Sequence, residues 1–382
     1  MKDRLGVLDG LRGIAVLLVL WYHVWEISWL PAPWSQYFQF IPETGFIGVP
    51  LFFFLSGFVI TYPFLRAQAH GQPLPTWGHF AWRRFIKIVP SYVLSIAVAY
   101  AIGYAVTQRT GAAPWQEILS HLLFVHTWWQ ATYGSINGVL WTLAVEVEFY
   151  CIFPLVWWCF RRAPWATAIG MTAVALAWRT WLQTCCYSGV FPQYAENLPG
   201  YLDIFASGML AAYVFTRIGA RARASRWNWL APLVALAGIV MAAALLKNLY
   251  DFRNVDQWQV VWQVRWRPLF GIAFGTIAVA SLCAPRWWEL LLANAPLRFL
   301  AIISYNLYLY HQMIAREMLA WHIPSYHGDP HADAVWQMKY TILALAATIV
   351  EAALVTYFVE RPLLRLKEPR LTKRIAGHST TM

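Results

Sequence analysis

Arg12 and His23 stand eleven residues apart in a single apolar run, 7–27. At 100° per residue, eleven steps return to within about 20° of the starting face. A helix therefore carries both side chains on one stripe, with His23 roughly 16 Å further along the axis. Asp9 and Glu26 fall on about the same stripe. A guanidinium suits an anionic ligand, and an imidazole that titrates near neutrality suits a general base. The pair reads as anion capture at one level and proton abstraction at a deeper one. In LWTLAVEVEFY (140–150), Thr142, Glu146 and Tyr150 follow one another at i, i+4 and i+8 and share a face. Glu148 lies about 200° from Glu146, so only one of the two can enter a common cavity; Glu146 is expected inward and Glu148 either at an interface or facing a neighbouring helix. SYNLYLYH (304–311) puts Ser304, Tyr308 and His311 on one stripe, and FFFLSGFVIT places Ser56 beside Gly57, a small pair that permits close helix approach. A lone histidine in an apolar helix is commonly a hydrogen-bonded core residue. Two histidines with an arginine and a glutamate on defined faces of three helices point instead to a polar cavity that does work.

The elements that must position these groups follow from composition. Of 382 residues, 59% are hydrophobic and only 12% charged, and 24 are Trp. Soluble domains average roughly 45–50% apolar and about 25% charged, so a soluble globular core, disorder, collagen and coiled coil are all excluded. The reading is an all-α integral membrane protein with about ten transmembrane helices, near 7–27, 46–65, 88–106, 138–160, 165–184, 199–216, 229–249, 266–283, 300–320 and 339–358. The first is too long and too polar for a cleaved signal peptide and is expected to remain as a span. The stretch 118–130 (ILSHLLFVHTWWQ) is too short to cross and is expected as a re-entrant or interfacial helix.

With that stretch not spanning, most of the 29 Lys and Arg fall on one side, which predicts cytoplasmic N- and C-termini. The net charge of +11 is thereby read as loop retention, and no nucleic-acid partner is expected. Residues 1–365 form one polytopic membrane domain and 366–382 a short basic cytoplasmic tail. The five cysteines, Cys151, Cys159, Cys185, Cys186 and Cys283, lack metal-ligand spacing and read as packing residues, with Cys185–Cys186 the only adjacent pair. His322, His327 and His331 stand near Asp329 and Asp333 in an outer loop, but no established ligand spacing joins them, so no metal is expected.

At these same residues the sequence resembles the acyltransferase-3 family, bacterial membrane-bound O-acyltransferases. LDGLRGIAVLLVLWYH (8–23) resembles the family's opening, with Arg and His at matching spacing. GFIGVPLFFFLSGFVIT (45–61), RRFIKIVP (83–90), LWTLAVEVEFY (140–150), SYNLYLYH (304–311) and YFVERP (357–362) resemble its later segments in order. Four positions depart from the pattern. Pro50 replaces an acidic residue, Lys87 an arginine and Val147 a glutamate, and Tyr201 stands where an arginine is common.

The resemblance implies an acyl-CoA donor, most simply acetyl-CoA, taken from the cytoplasm, and a glycan, exopolysaccharide or lipid-linked sugar as acceptor, in the bacterial cytoplasmic (inner) membrane. It implies that His23 is the base or proton relay and that Arg12 holds the donor through its phosphates or its thioester end. Arg83, Arg84 and Lys87 would bind further phosphate charge. Glu146 would orient His23 or a substrate hydroxyl, and His311 would be a second polar contact. The chain ends shortly after its last apolar stretch. It is therefore expected to lack the fused hydrolase-like domain of some members, and to act alone or pass its product to separate polysaccharide-assembly proteins. Trp128, Trp129, Trp141 and Tyr310 suit either sugar stacking or interface anchoring. Two other readings compete. One is a proton-coupled exporter or flippase with His23, Glu146 and His311 as its relay, although the paired broken helices typical of such proteins are not found. The other is a scaffold, which leaves Arg12 and His23 without a role.

Overall fold

The computed structural model describes residues 5–31, 36–185, 191–252 and 258–365; the basic tail 366–382 and Cys186 lie outside the described residues. The principal helices in chain order are α1 (Gly6–Ser28), α2 (Gly48–Ala69), α3 (Trp77–Ala101), α4 (Pro114–Leu122), α5 (Trp141–Phe160), α6 (Pro164–Cys185), α7 (Leu198–Ala224), α8 (Ala231–Phe252), α9 (Arg267–Cys283), α10 (Arg286–Leu292), α11 (Ala295–Ala320) and α12 (Ala334–Val355). No strand occurs among the described residues.

Helices stand at all ten apolar stretches. Seven are long and apolar enough to cross a membrane, or eight if α10 and α11, bent by 46° at their junction, count as one span. The other two fall short in different ways. α9 has only 17 residues, and α6 has 22 but is not among the sufficiently apolar helices. The short stretch near 118–130 is the nine-residue α4 followed by a 3₁₀ turn, His126–Trp128.

Helix starts are written locally. Thr76, Asn294 and Asp333 each accept hydrogen bonds from the first-turn amides of α3, α11 and α12, which satisfies donors that a helix leaves open. Packing then sets which faces meet. α1 lies between α2 and α11, and α2 packs along α7. The α2–α7 contact is reciprocal. A Cβ on Gly57 would come within 2.3 Å of the Phe205 carbonyl oxygen, and one on Gly208 within 2.0 Å of that of Phe54. Only glycine lets these two backbones touch. α6 is pinned to α7 by a buried ion pair, Arg179 Nη2 to Asp203 Oδ2 at 2.7 Å. Beyond α12 the chain widens into a π turn, Thr356–Glu360, which brings Glu360 back into the bundle.

Candidate active site

Two cavities lie along the stripe of α1. The near one, of about 110 Å3, begins two turns from the start of α1. Its walls include Arg12 from α1, Ser56 from α2, Arg84 and Lys87 from α3, Thr142, Glu146 and Tyr150 from α5, and Ser304, Tyr305 and Tyr308 from α11. The Ser56 and Tyr150 hydroxyls both donate to Glu146 Oε1, so the i, i+4 relation fixes that carboxylate within the wall. Glu148 points elsewhere and accepts from Trp128 Nε1 at 2.7 Å.

The three cations here are not equivalent. Lys87 is committed to Glu360, whose other oxygen takes a 2.9 Å hydrogen bond from Asn306. Arg84 lies over the rings of Tyr150 and Phe80, 5.2 and 5.7 Å from their centroids, and its Nε has no hydrogen-bond partner. Arg12 makes no hydrogen bond or ion pair among the described residues. Two guanidiniums are therefore uncommitted, which is the chemistry that binds phosphate groups. Arg83 is exposed one helical turn before Lys87, and neither it nor Asp9 lines either of these two cavities.

The far cavity, of about 320 Å3, contains His23. His23 Nδ1 lies 2.9 Å from Glu26 Oε2 and 3.3 Å from the Gln312 amide nitrogen. The Glu26 carboxylate, the nearer neighbour, can only accept, so Nδ1 carries the proton and Nε2 is the basic nitrogen; the Gln312 amide nitrogen is itself a donor and makes no hydrogen bond to that N–H. Glu146 does not orient His23. It belongs to the near cavity, and one helical turn of α1 supplies Glu26 instead. His311 is buried behind His23, with ring centroids 4.9 Å apart, and lines neither cavity. Its Nδ1 lies 2.8 Å from the Tyr308 carbonyl oxygen and 3.1 Å from that of Leu307, both acceptors, so this ring also carries its proton on Nδ1.

Facing His23 across the far cavity are Glu196, Gln263, Arg267 and the rings of Trp141 and Tyr201. The Arg267 guanidinium sits 4.0 Å over the Tyr201 ring, so a positive charge reaches this position from α9. Trp141 stacks on the same ring, whereas Trp129 is exposed and Tyr310 is buried away from both cavities. Two residues, Val49 and Tyr308, line both cavities. They form the wall between the cation-lined space and the histidine-lined one.

Several of these residues carried no clear sequence signal. Glu26 was visible on the Arg12–His23 stripe, but its spacing assigned it no partner. Glu196 and Arg267 reach the site from segments far along the chain, and Glu360, though part of the YFVERP segment, carried no sign of its partner. In the outer loop, His331 is occupied by Asp329 at 3.0 Å and by the Ile27 carbonyl at 3.0 Å.

A bundle of apolar helices enclosing two cavities that meet at Val49 and Tyr308 defines a polytopic membrane protein. The chain belongs to the acyltransferase-3 family, whose acyltransferase domain matches residues 5–356. It is 26% identical over 378 residues to the peptidoglycan O-acetyltransferase of Listeria monocytogenes, a match covering 93% of this chain and 55% of that protein. It is 23% identical to nodulation protein 10 of Rhizobium leguminosarum bv. viciae, covering 96% of this chain and 95% of the relative. It is also 26% identical to an acyltransferase of Streptomyces mycarofaciens, covering 95% and 92%. The chain thus spans about half the length of the Listeria protein and nearly all of the other two. No solved structure matches.

Proposed function

We propose that this protein is a membrane O-acyltransferase. It moves an acyl group, most simply acetyl, from cytoplasmic acyl-CoA to a hydroxyl of a glycan, exopolysaccharide or lipid-linked sugar, and it sits in the bacterial cytoplasmic membrane with both termini inside. The observation that carries this reading is the division of labour along α1. Uncommitted guanidiniums occupy the near cavity, and a histidine held by a carboxylate occupies the far one. The Listeria relative is named an O-acetyltransferase and the Streptomyces relative an acyltransferase, and both names agree with acyl transfer.

In this mechanism Arg12 and Arg84 hold the donor's phosphates, with Lys87 kept in place by Glu360. The thioester end reaches the wall formed by Val49 and Tyr308. His23 Nε2 removes the proton of the acceptor hydroxyl as its oxygen attacks the thioester carbonyl carbon. Collapse of the tetrahedral intermediate breaks the C–S bond, and the leaving sulfur takes the proton back from the imidazolium. Ester and thiol are the products. Glu26 stabilises the imidazolium while it exists, as a carboxylate behind a general-base histidine does.

The test is transfer of radiolabelled acetyl from acetyl-CoA into the glycan and lipid fractions of membranes containing the protein. His23→Ala is expected to lower incorporation by on the order of 10²–10⁴-fold at matched protein level, the usual contribution of a positioned base. Arg12→Ala is expected to raise the KM for donor. Incorporation that ignores both substitutions would sink the assignment.

A further inference from the structure

The far cavity contains a buried cation with no carboxylate in direct contact; Glu196 and Asp203 act on it only through space. Arg267 is 1% exposed, yet its hydrogen-bond partners are the Gly200 carbonyl and the Gln263 side chain, and its Nε has none. Among the described residues no carboxylate lies within ion-pair distance of it. Asp203 is taken by Arg179, which also donates to the Gly200 oxygen at 2.8 Å. Glu196, the other carboxylate on this wall, accepts from the Tyr133 hydroxyl. Two guanidiniums thus share the Gly200 carbonyl, and Asp203 pairs directly with only one of them. Buried charges in proteins are ordinarily paired, because removing a charge from water without a partner is costly. Arg267 departs from that rule at the wall of a cavity that also holds His23. Arg316 adds a second, exposed positive charge to the lining of the same cavity.

We infer that Arg267 is a specificity-determining residue that recognises an anionic group on the acceptor. The acceptor class is thereby narrowed to hydroxyl compounds bearing a carboxylate or a phosphate. The inference rests on reading the far cavity as the acceptor site. A planar guanidinium presents paired donors to either oxyanion. The pairing satisfies the buried charge only when the correct acceptor is bound. A neutral sugar of the same shape leaves it unmet, which is how buried polar groups reject analogues most strongly.

The experiment uses the full chain in membrane vesicles with labelled acetyl-CoA and three acceptors. These are an oligosaccharide containing a uronic acid, its carboxyl-reduced counterpart, and the reduced oligosaccharide on a polyprenyl diphosphate. The expected result is a KM at least about tenfold lower for one anionic acceptor than for the neutral one. Preference for the uronate assigns a sugar carboxylate, and preference for the lipid-linked form assigns the diphosphate. Arg267→Gln should bring the anionic-to-neutral KM ratio close to one, and Arg267→Lys should restore part of it. A purely structural arginine would shift both acceptors together and leave the ratio alone. Should Arg267→Gln fail to fold, the comparison of acceptors on the unmodified protein still decides. Equal KM values for all three overturn the inference. Transfer to none of them overturns the acyl-transfer reading, and the inference falls with it.

Discussion

His23 and Glu26 are three residues apart on one helix, so a single turn of α1 fixes both the tautomer and the aim of the proposed base. Glu26→Gln keeps the shape and loses the charge. It is expected to lower transfer on the order of 10–100-fold and to displace the acid limb of the pH–rate profile, with protein level unchanged. Tyr308 carries a different duty. Tyr308→Ala removes most of the wall between the cavities and should raise acetyl-CoA hydrolysis relative to transfer, read as the ratio of free acetate to acylated acceptor; Tyr308→Phe should hold that ratio near the unmodified value. Much of this was legible in the residues themselves, because Arg12 with His23 and Thr142 with Glu146 and Tyr150 depend only on helical periodicity. Pairings across the bundle were not legible. Nothing in the sequence tells Lys87 that its partner is Glu360, or Arg267 that it will lie on Tyr201. Of the two duties expected of Glu146, orienting His23 or a substrate hydroxyl, the contact with His23 is not made, since a face says where a side chain points along a helix and not which neighbour it meets.

Helices were the most readable elements, because each apolar run long enough to cross announces itself. Their contacts depend on rarer signals. Gly57 and Gly208 hold α2 against α7 at a backbone separation no other residue allows. Gly208→Ala should destabilise the protein by about 1–3 kcal/mol through overpacking, measured as a lower melting temperature in detergent. The short α4 and its following turn carry a second testable feature outside the spanning helices. His121 and His126 are buried and stacked face to face, ring centroids 3.8 Å apart. Burial pushes His121 down to about 4 from its ordinary 6.5 and lowers His126 as well. A histidine whose folded pKa is depressed stays neutral while the unfolded chain takes up a proton. Stability is therefore lost as pH falls from about 6.5 toward about 4 and levels off below, by about 3 kcal/mol from His121 alone. Melting temperatures across that range should show the decline, and His121→Phe should flatten it.

On the scale of the whole molecule, the arrangement of charge makes the orientation testable. Reporters fused at either end are expected to be active only in the cytoplasm, and a cysteine placed at Arg83 should be labelled from that side while one at His322 is labelled from the other. Reactivity of both from one face would overturn the topology and the direction of transfer with it. In the proposed reaction, the wall shared by Val49 and Tyr308 would have a meaning for the cell. A donor held in the near cavity would surrender only its acyl group at that wall, and the carrier would stay on the side where it is recharged. The energy of the thioester bond would then do the work that an ion gradient does in a transporter, and modification beyond the membrane would be paced by the supply of activated acyl groups within.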